Sequence, residues 1–293
     1  GEERMGKAIA KLGHGSGARV TTKVGRLFAE PDGSPAGPGF DNKGRPPLSE
    51  RRISNDYTAA GVKRSARESL SRLGLEGVHA LRIHDPNDNN LNRGEVEDEV
   101  AICLSTGGAV AGLRDLRKQG LVPHIGLGMN SNKEPHMGVP DQIIRLLRGA
   151  PPDTFDSVLL AGGWNLLTQA GLPCLLECQA RGIPVYLAGV YASGLLIGGP
   201  TYAYKEAPPE MRDKARQWRK LSERHDVQLP AVALAFAALP AIVERVVLGM
   251  ATKAQVEENL VLLTESASVP MKLFHEAKNA GLLGPEVPLP PAE

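Results

Sequence analysis

Cysteine is scarce. Cys103, Cys174 and Cys178 are the three in 293 residues, and they form no C-x-x-C pair. That pattern excludes a disulfide framework. Cys174 and Cys178, four apart on an expected helix, read as small apolar residues of a packed face. A reducing, cytoplasmic setting fits this usage. Charge of one sign is also lacking: 34 basic residues balance 33 acidic ones, for a net charge of +1. No basic field argues for a nucleic-acid partner. No run of 18 apolar residues is present, so no membrane span or membrane partner is expected, and no signal-peptide pattern opens the chain. No G-x-G-x-x-G follows an early strand, which weighs against a Rossmann domain. The chain also opens on Gly1 rather than Met and runs directly into a helical pattern, which raises the expectation of processing or of a fragment.

What remains is an ordinary globular composition, 42% hydrophobic and 23% charged, long enough for one large α/β domain or two smaller ones. The pattern reads as a helix at 2–12, a β-branched strand at 18–24, and a polar stretch at 25–57 crowded with glycine and proline. A loop of that length inside a compact domain suggests a lid or substrate loop. From 58 onward helices and strands alternate. Helices are expected at 59–73, 98–119, 140–148, 171–181, 208–225 and 230–238, and a last one from 252 to about 263. Strands are expected at 78–83, 121–127, 157–161, 184–188 and 245–248, and a surface strap from Gly284. Six strands joined by helical crossovers make a parallel sheet. Periodicity alone leaves a doubly wound sheet and an eight-stranded barrel both open.

Chemistry gathers at strand ends. His84 closes the strand Val-His-Ala-Leu-Arg-Ile-His, before Asp85 and Pro86, and Lys23 sits near the end of the first strand. In α/β barrels, catalytic residues occupy the carboxyl ends of strands. A third strand breaks at Gly249, and Thr252 and Gln255 then have capping-box spacing at a helix start. Such a helix N-terminus offers N–H groups and a positive dipole end to a phosphate. The preceding loop of the same kind, Gly189 to Leu196, is small and glycine-bearing.

These residues resemble the aldo-keto reductase family. Thr-Thr-Lys-Val-Gly (21–25), Ser-Leu-Ser-Arg-Leu-Gly-Leu (69–75), Leu-Arg-Ile-His-Asp-Pro (81–86), Ile-Gly-Leu-Gly-Met-Asn (125–130) and Val-Glu-Glu-Asn (256–259) fall in family order. Leu-Leu-Ala-Gly-Gly-Trp-Asn-Leu-Leu (159–167) and 248–259 look most like the branch of aldose, fucose and galactose 1-dehydrogenases. The resemblance implies a single domain over 1–293 with an insert at 25–57. Its fold would be an α/β (α/β)8 TIM barrel, here without its first two strands.

The implied reaction is hydride transfer between a nicotinamide dinucleotide, NAD or NADP, and a sugar or small aldehyde or alcohol. The family's proton donor is a tyrosine. Lys23 matches the lysine that tunes it, and His84 the histidine that orients the substrate oxygen. Asn130 matches the residue on the nicotinamide amide; Ser193, Gly194 and Leu195 match the pyrophosphate loop; Glu258 and Asn259 match the pair at the adenine. Gly249 and Gln255, beside Thr252, fill positions that usually grip a 2′-phosphate, which implies a modest preference for NAD, with Lys253 near enough to compensate. Met129 and Ala161 imply a less polar amide site than in the aldose-reductase branch, a difference the sugar branch tolerates.

The family's aspartate and tyrosine lie on the strand before the helix that opens this chain, so both are expected to be absent. Asp56-Tyr57 reads as a helix entry rather than a replacement. A shortened protein that binds a dinucleotide or a partner without chemistry is the alternative.

Overall fold

The structure, a computed structural model, describes residues 1–13, 17–28, 53–86, 98–130 and 139–291, apart from the side chains of 139–141. The chain divides into two compact units, Gly1–Met129 with Asp141–Ser157, and Asn130–Pro140 with Val158–Glu293.

In the first unit three parallel strands run side by side: β1 (Thr21–Val24) pairs with β4 (Ala80–His84), which pairs with β5 (His124–Asn130). Numbering follows the chain, because a short antiparallel ribbon intervenes, β2 (Arg26–Phe28) with β3 (Ile53–Asn55). Helix α1 (Glu2–Leu12) packs on α2 (Ala59–Leu73). The α2 start is fixed by Thr58, whose side chain accepts the Gly61 N–H at 3.1 Å, and its end by Gly74 in a left-handed conformation. Val62, Ala66 and Leu73 turn inward at helical spacing, and Val24, Leu81 and Ile83 of the strands are buried as they are, all at most 3% exposed.

The stretch 25–57 is therefore not one loop. Its two ends form the ribbon, and the lid reading falls on 29–52, outside the described residues. The helix expected over 98–119 is two, α3 (Glu99–Leu104) and α4 (Ala109–Lys118). Gly107 and Gly108 between them are poor helix formers, and Ser105 ends α3 in an extended conformation. The strand expected at 121–127 lies three residues later, after Pro123, which has no N–H to give a ladder. Helix α5 (Val139–Gly149) completes the unit.

In the second unit β6 (Ser157–Ala161) pairs in parallel with β7 (Val185–Ala188), and β7 with β10 (Val243–Val247). Between β7 and β10 come a 3-10 turn (Ala192–Ile197), a hairpin of β8 (Thr201–Tyr202) and β9 (Lys205–Glu206), and helices α7 (Pro209–Arg224) and α8 (Leu229–Ala237). Helix α6 (Leu172–Arg181) connects β6 to β7. The core here is aromatic: the Trp164 and Phe236 rings stack at 5.0 Å, and Trp218 donates its indole N–H to the Leu166 carbonyl at 2.9 Å. Helix α9 (Lys253–Ser266) follows β10, but it is not the last helix. Pro270 stops the chain from continuing and caps a further helix, α10 (Met271–Asn279), which the sequence reading missed. The terminal strap lies on α10, where Lys278 reaches the Val287 carbonyl at 2.7 Å and the Val287 side chain is fully buried. No helix of the described residues is long and apolar enough to cross a membrane.

Candidate active site and cofactor cradle

The first unit brings Lys23 and His84 together. They sit on adjacent strands at the ends expected, and Lys23 Nζ lies 3.4 Å from His84 Nε2. The strand alternation explains how both reach one face. Ile125, Leu127 and Met129 pack into the core on one face of β5, while Gly126 and Gly128 face the other way. A Cβ at Gly128 would stand 3.3 Å from Lys23 Cε, and one at Gly126 would stand 2.8 Å from an Arg82 nitrogen and 2.3 Å from the Ser157 carbonyl. Two glycines thus make room for two long cationic side chains. Met129 shares the core face with Ile125 and Leu127.

Three participants were not legible from the sequence. Asp85, 3% exposed and in a left-handed conformation at φ 45°, sets its carboxylate 3.0 Å from Arg26 Nη2 and 3.3 Å from His84 Nε2. Arg82, buried in β4, gives a hydrogen bond to Ser157 Oγ at 2.9 Å. Left-handed backbone at a residue other than glycine costs about 1–3 kcal/mol and persists where surrounding contacts over-determine it. The signal was present as a carboxylate sandwiched between histidine and proline and an arginine inside an apolar strand.

Electrostatics follow from burial. The His84 imidazole is held well below its ordinary pKa by desolvation first, then by the Lys23 and Arg26 cations, so it is neutral near pH 7. Burial also lowers Lys23, with Arg26 and Arg82 adding to the effect and Asp85 opposing it. Tyr57 donates its O–H to the His84 backbone carbonyl at 2.6 Å, and burial, with Glu99 nearby, pushes the phenol well above its usual range. Asp56 accepts from the Thr58 N–H and hydroxyl at 2.9 and 2.6 Å, the bonding of a helix entry.

The second unit holds the residues expected to meet a dinucleotide. Asn130, at the end of β5, accepts a hydrogen bond from the Tyr204 hydroxyl at 3.4 Å. Ser193, Gly194 and Leu195 lie in the 3-10 turn, where Ala192, Ser193 and Gly194 take positive φ in succession. Such turned backbone makes concavities for anions. The Ser193 carbonyl accepts from Thr201 Oγ1 at 2.6 Å, and the Ser193 hydroxyl from the Tyr204 N–H at 3.3 Å.

At the start of α9 the capping box is complete: Thr252 accepts the Gln255 N–H, and Gln255 Oε1 accepts the Ala251 N–H at 2.7 Å and the Thr252 N–H at 3.3 Å. The Gln255 amide oxygen is thereby spent on the helix. Gly249 is exposed, Lys253 projects into solvent and pairs with Glu257 at 3.3 Å, and Glu258 is exposed. Asn259 accepts from the Tyr191 hydroxyl at 2.8 Å and donates to the Gln255 carbonyl at 2.7 Å. A turned loop of small residues, two amides and a helix N-terminus suit a dinucleotide diphosphate with a heterocycle at each end. Among the described residues no group of three or more His, Cys, Asp or Glu side chains could hold a metal ion.

Residues 1–268 match the model of the aldo/keto reductase family. A D-threo-aldose 1-dehydrogenase from a Pseudomonas species is 31% identical over 271 residues, 90% of this chain and 75% of that protein. A pyridoxal 4-dehydrogenase from Microbacterium luteolum is 27% identical over 91% of this chain and 76% of its own length. Among solved structures, an aldo-keto reductase from Bacillus halodurans in its holo form superposes with a TM-score of 0.63 at 17% identity, over 89% of this chain and 72% of that one. A glycerol dehydrogenase from Gluconobacter oxydans gives 0.63 at 15% identity, over 99% and 79%. The parallel α/β architecture is thus of the TIM-barrel class, and the chain belongs to the aldo/keto reductase family of NAD(P)-dependent oxidoreductases.

Proposed function

We propose that this chain supplies the substrate-polarising pair and the cofactor cradle of an oxidoreductase acting on a sugar or a small aldehyde or alcohol, with NAD preferred to NADP. The observation that carries the reading is the part-buried contact of Lys23 with a neutral His84 at 3.4 Å. A neutral imidazole can donate to a carbonyl oxygen without protonating it, and a cation beside it stabilises negative charge developing there. The nicotinamide, when bound, gives or takes the hydride. Asn130 would hold its carboxamide, the turn containing Ser193, Gly194 and Leu195 the diphosphate, and Glu258 and Asn259 the adenine. NAD preference rests on Gly249, which carries no cation, and on Gln255, whose amide oxygen serves the helix cap.

The acid–base tyrosine of the family has no counterpart that we assign within 1–293. Tyr57 reaches the His84 strand end, but its O–H is committed to a backbone carbonyl. That commitment also favours the second reading, a dinucleotide binder without chemistry. Fluorescence titration with NADH and NADPH, followed by an assay with NAD and a panel of aldoses, separates the two. Tighter NADH binding without turnover by this polypeptide is the expected result. Turnover by residues 1–293 alone would overturn the tyrosine assignment, and binding of neither dinucleotide would overturn the whole reading.

A further inference from the structure

We propose that Tyr204 and Tyr191 are positioning residues that preset the amides of Asn130 and Asn259, the two readers at opposite ends of the dinucleotide. The inference rests on the cradle proposed above and adds two residues that no family motif supplied.

The argument starts from the asparagine amide. It carries an acceptor oxygen and a two-hydrogen donor of nearly the same shape, so its orientation is set by what bonds to it. A phenol O–H can fix that orientation by donating to the oxygen, which turns the NH2 away. Both asparagines receive such a bond, Asn130 from Tyr204 at 3.4 Å and Asn259 from Tyr191 at 2.8 Å. Asn259 is pinned at its other end too, since one of its N–H groups goes to the Gln255 carbonyl. With its oxygen engaged, each amide turns its NH2 side the other way, and that side is the one that suits acceptors such as the nicotinamide carboxamide oxygen and an adenine ring nitrogen.

Backbone geometry is an independent sign. The β8–β9 hairpin turns on Ala203 and Tyr204 with φ 47° and 65°. Two consecutive positive φ values in a two-residue hairpin mark a turn that favours Asn-Gly. A tyrosine in that place is strained, and the residue is 61% exposed, so apolar burial does not account for it. What the placement secures is the hydroxyl on Asn130 and the Tyr204 N–H on the Ser193 hydroxyl. Tyr191 occupies the residue just before the 3-10 turn. Burial, helped by Glu258, pushes its phenol up to about 12, so it remains a donor across the working range.

The test uses Tyr204→Phe and Tyr191→Phe, which keep the ring and remove the hydroxyl, with NADH and ADP-ribose as probes in isothermal titration calorimetry. Tyr204→Phe is expected to weaken NADH by about two- to tenfold, the range of one hydrogen bond, and to leave ADP-ribose unchanged. Tyr191→Phe is expected to weaken both probes by the same factor. In an Asn130→Ala background, Tyr204→Phe should add nothing further. A general structural defect would weaken both probes in both variants, and that result would overturn the proposal. If wild type binds both probes and the variants match it, the cradle stands and the positioning role falls. If wild type binds neither probe, the cradle falls and the proposal with it.

Discussion

The two units hold their candidate residues by opposite means. In the first, charge is placed at least partly under burial: Arg82 is buried in β4, Lys23 and Arg26 act on a neutral His84, and Asp85 answers Arg26 from a site 3% exposed. In the second, the residues other than Glu258 are uncharged, and they are held by phenol-to-amide bonds, a capping box and a run of left-handed backbone. On the proposed reading, the contrast follows the chemistry each would do. Polarising a carbonyl needs a strong field, and a field is strong only where water is excluded. Holding a cofactor that must also leave needs many moderate, geometrically fixed contacts. Stability should therefore be far more sensitive to single substitutions in the first cluster than in the cradle.

The largest expected effect tests that sensitivity. Asp85→Ala takes the Asp85 carboxylate away from the Arg26 guanidinium; breaking a fully buried pair from one side costs about 3–5 kcal/mol, and with Arg26 16% exposed the expected loss is about 2–3 kcal/mol. Urea unfolding monitored by far-UV circular dichroism measures it; a loss below 1 kcal/mol would place the cluster on the same footing as the cradle. The pH dependence of His84 comes next. Its folded pKa lies below the unfolded value of about 6.5, so the unfolded chain takes up a proton first as pH falls. Stability is then unaffected by this group above 6.5 and is lost below it, by at most about 1.4 kcal/mol per pH unit until the folded pKa is reached. Comparing wild type with His84→Gln between pH 7.5 and 5.5 isolates the effect, and parallel curves would show that His84 is not held neutral.

The same contrast explains what the sequence disclosed. The helix from 2 to 12, the strand at 157–161 and the capping box at Thr252 were legible because each is written in local periodicity or spacing. Lys23 and His84 were legible because strand ends are visible in a pattern. The partners of His84 were not. Arg26 comes from a ribbon whose two strands are separated by more than twenty residues, and Asp85 matters through a backbone conformation that composition does not encode. In the proposed cradle, Asn130 and Asn259 were suggested by resemblance, but the tyrosine hydroxyls that bond to them were not. Tyr204 reaches Asn130 across 74 positions of sequence, through a hairpin that the reading passed over. Long-range hydrogen bonds are fixed by the fold, and no local signal records them.

Smaller effects should appear in the cradle, and they sharpen its neutral character. An added Cβ at Gly249 meets nothing within 4 Å, so Gly249→Arg can be made without crowding. Supplying a guanidinium there should tighten NADPH binding about tenfold, roughly 1.4 kcal/mol, and leave NADH nearly unchanged. Titration of both cofactors checks it, and equal tightening of the two would indicate a general charge effect.

The smallest expected change concerns the cap itself. Thr252→Ala removes the acceptor for the Gln255 N–H, a loss of about 1 kcal/mol for an N-cap. Because α9 is largely exposed, this loss should be local: faster amide hydrogen exchange in the first turn of α9, with exchange in β4 and β5 unchanged. The substitution frees the Gln255 backbone N–H, which becomes available to a phosphate, while the Gln255 side chain keeps its bonds to the backbone N–H groups of residues 251 and 252. NADPH binding should then improve relative to NADH even though the helix start is weaker. If the ratio of the two affinities stays fixed while α9 frays, the N–H that Thr252 caps plays no part in choosing between the cofactors, and the proposed preference for NAD has to rest on Gly249 and the Gln255 side chain.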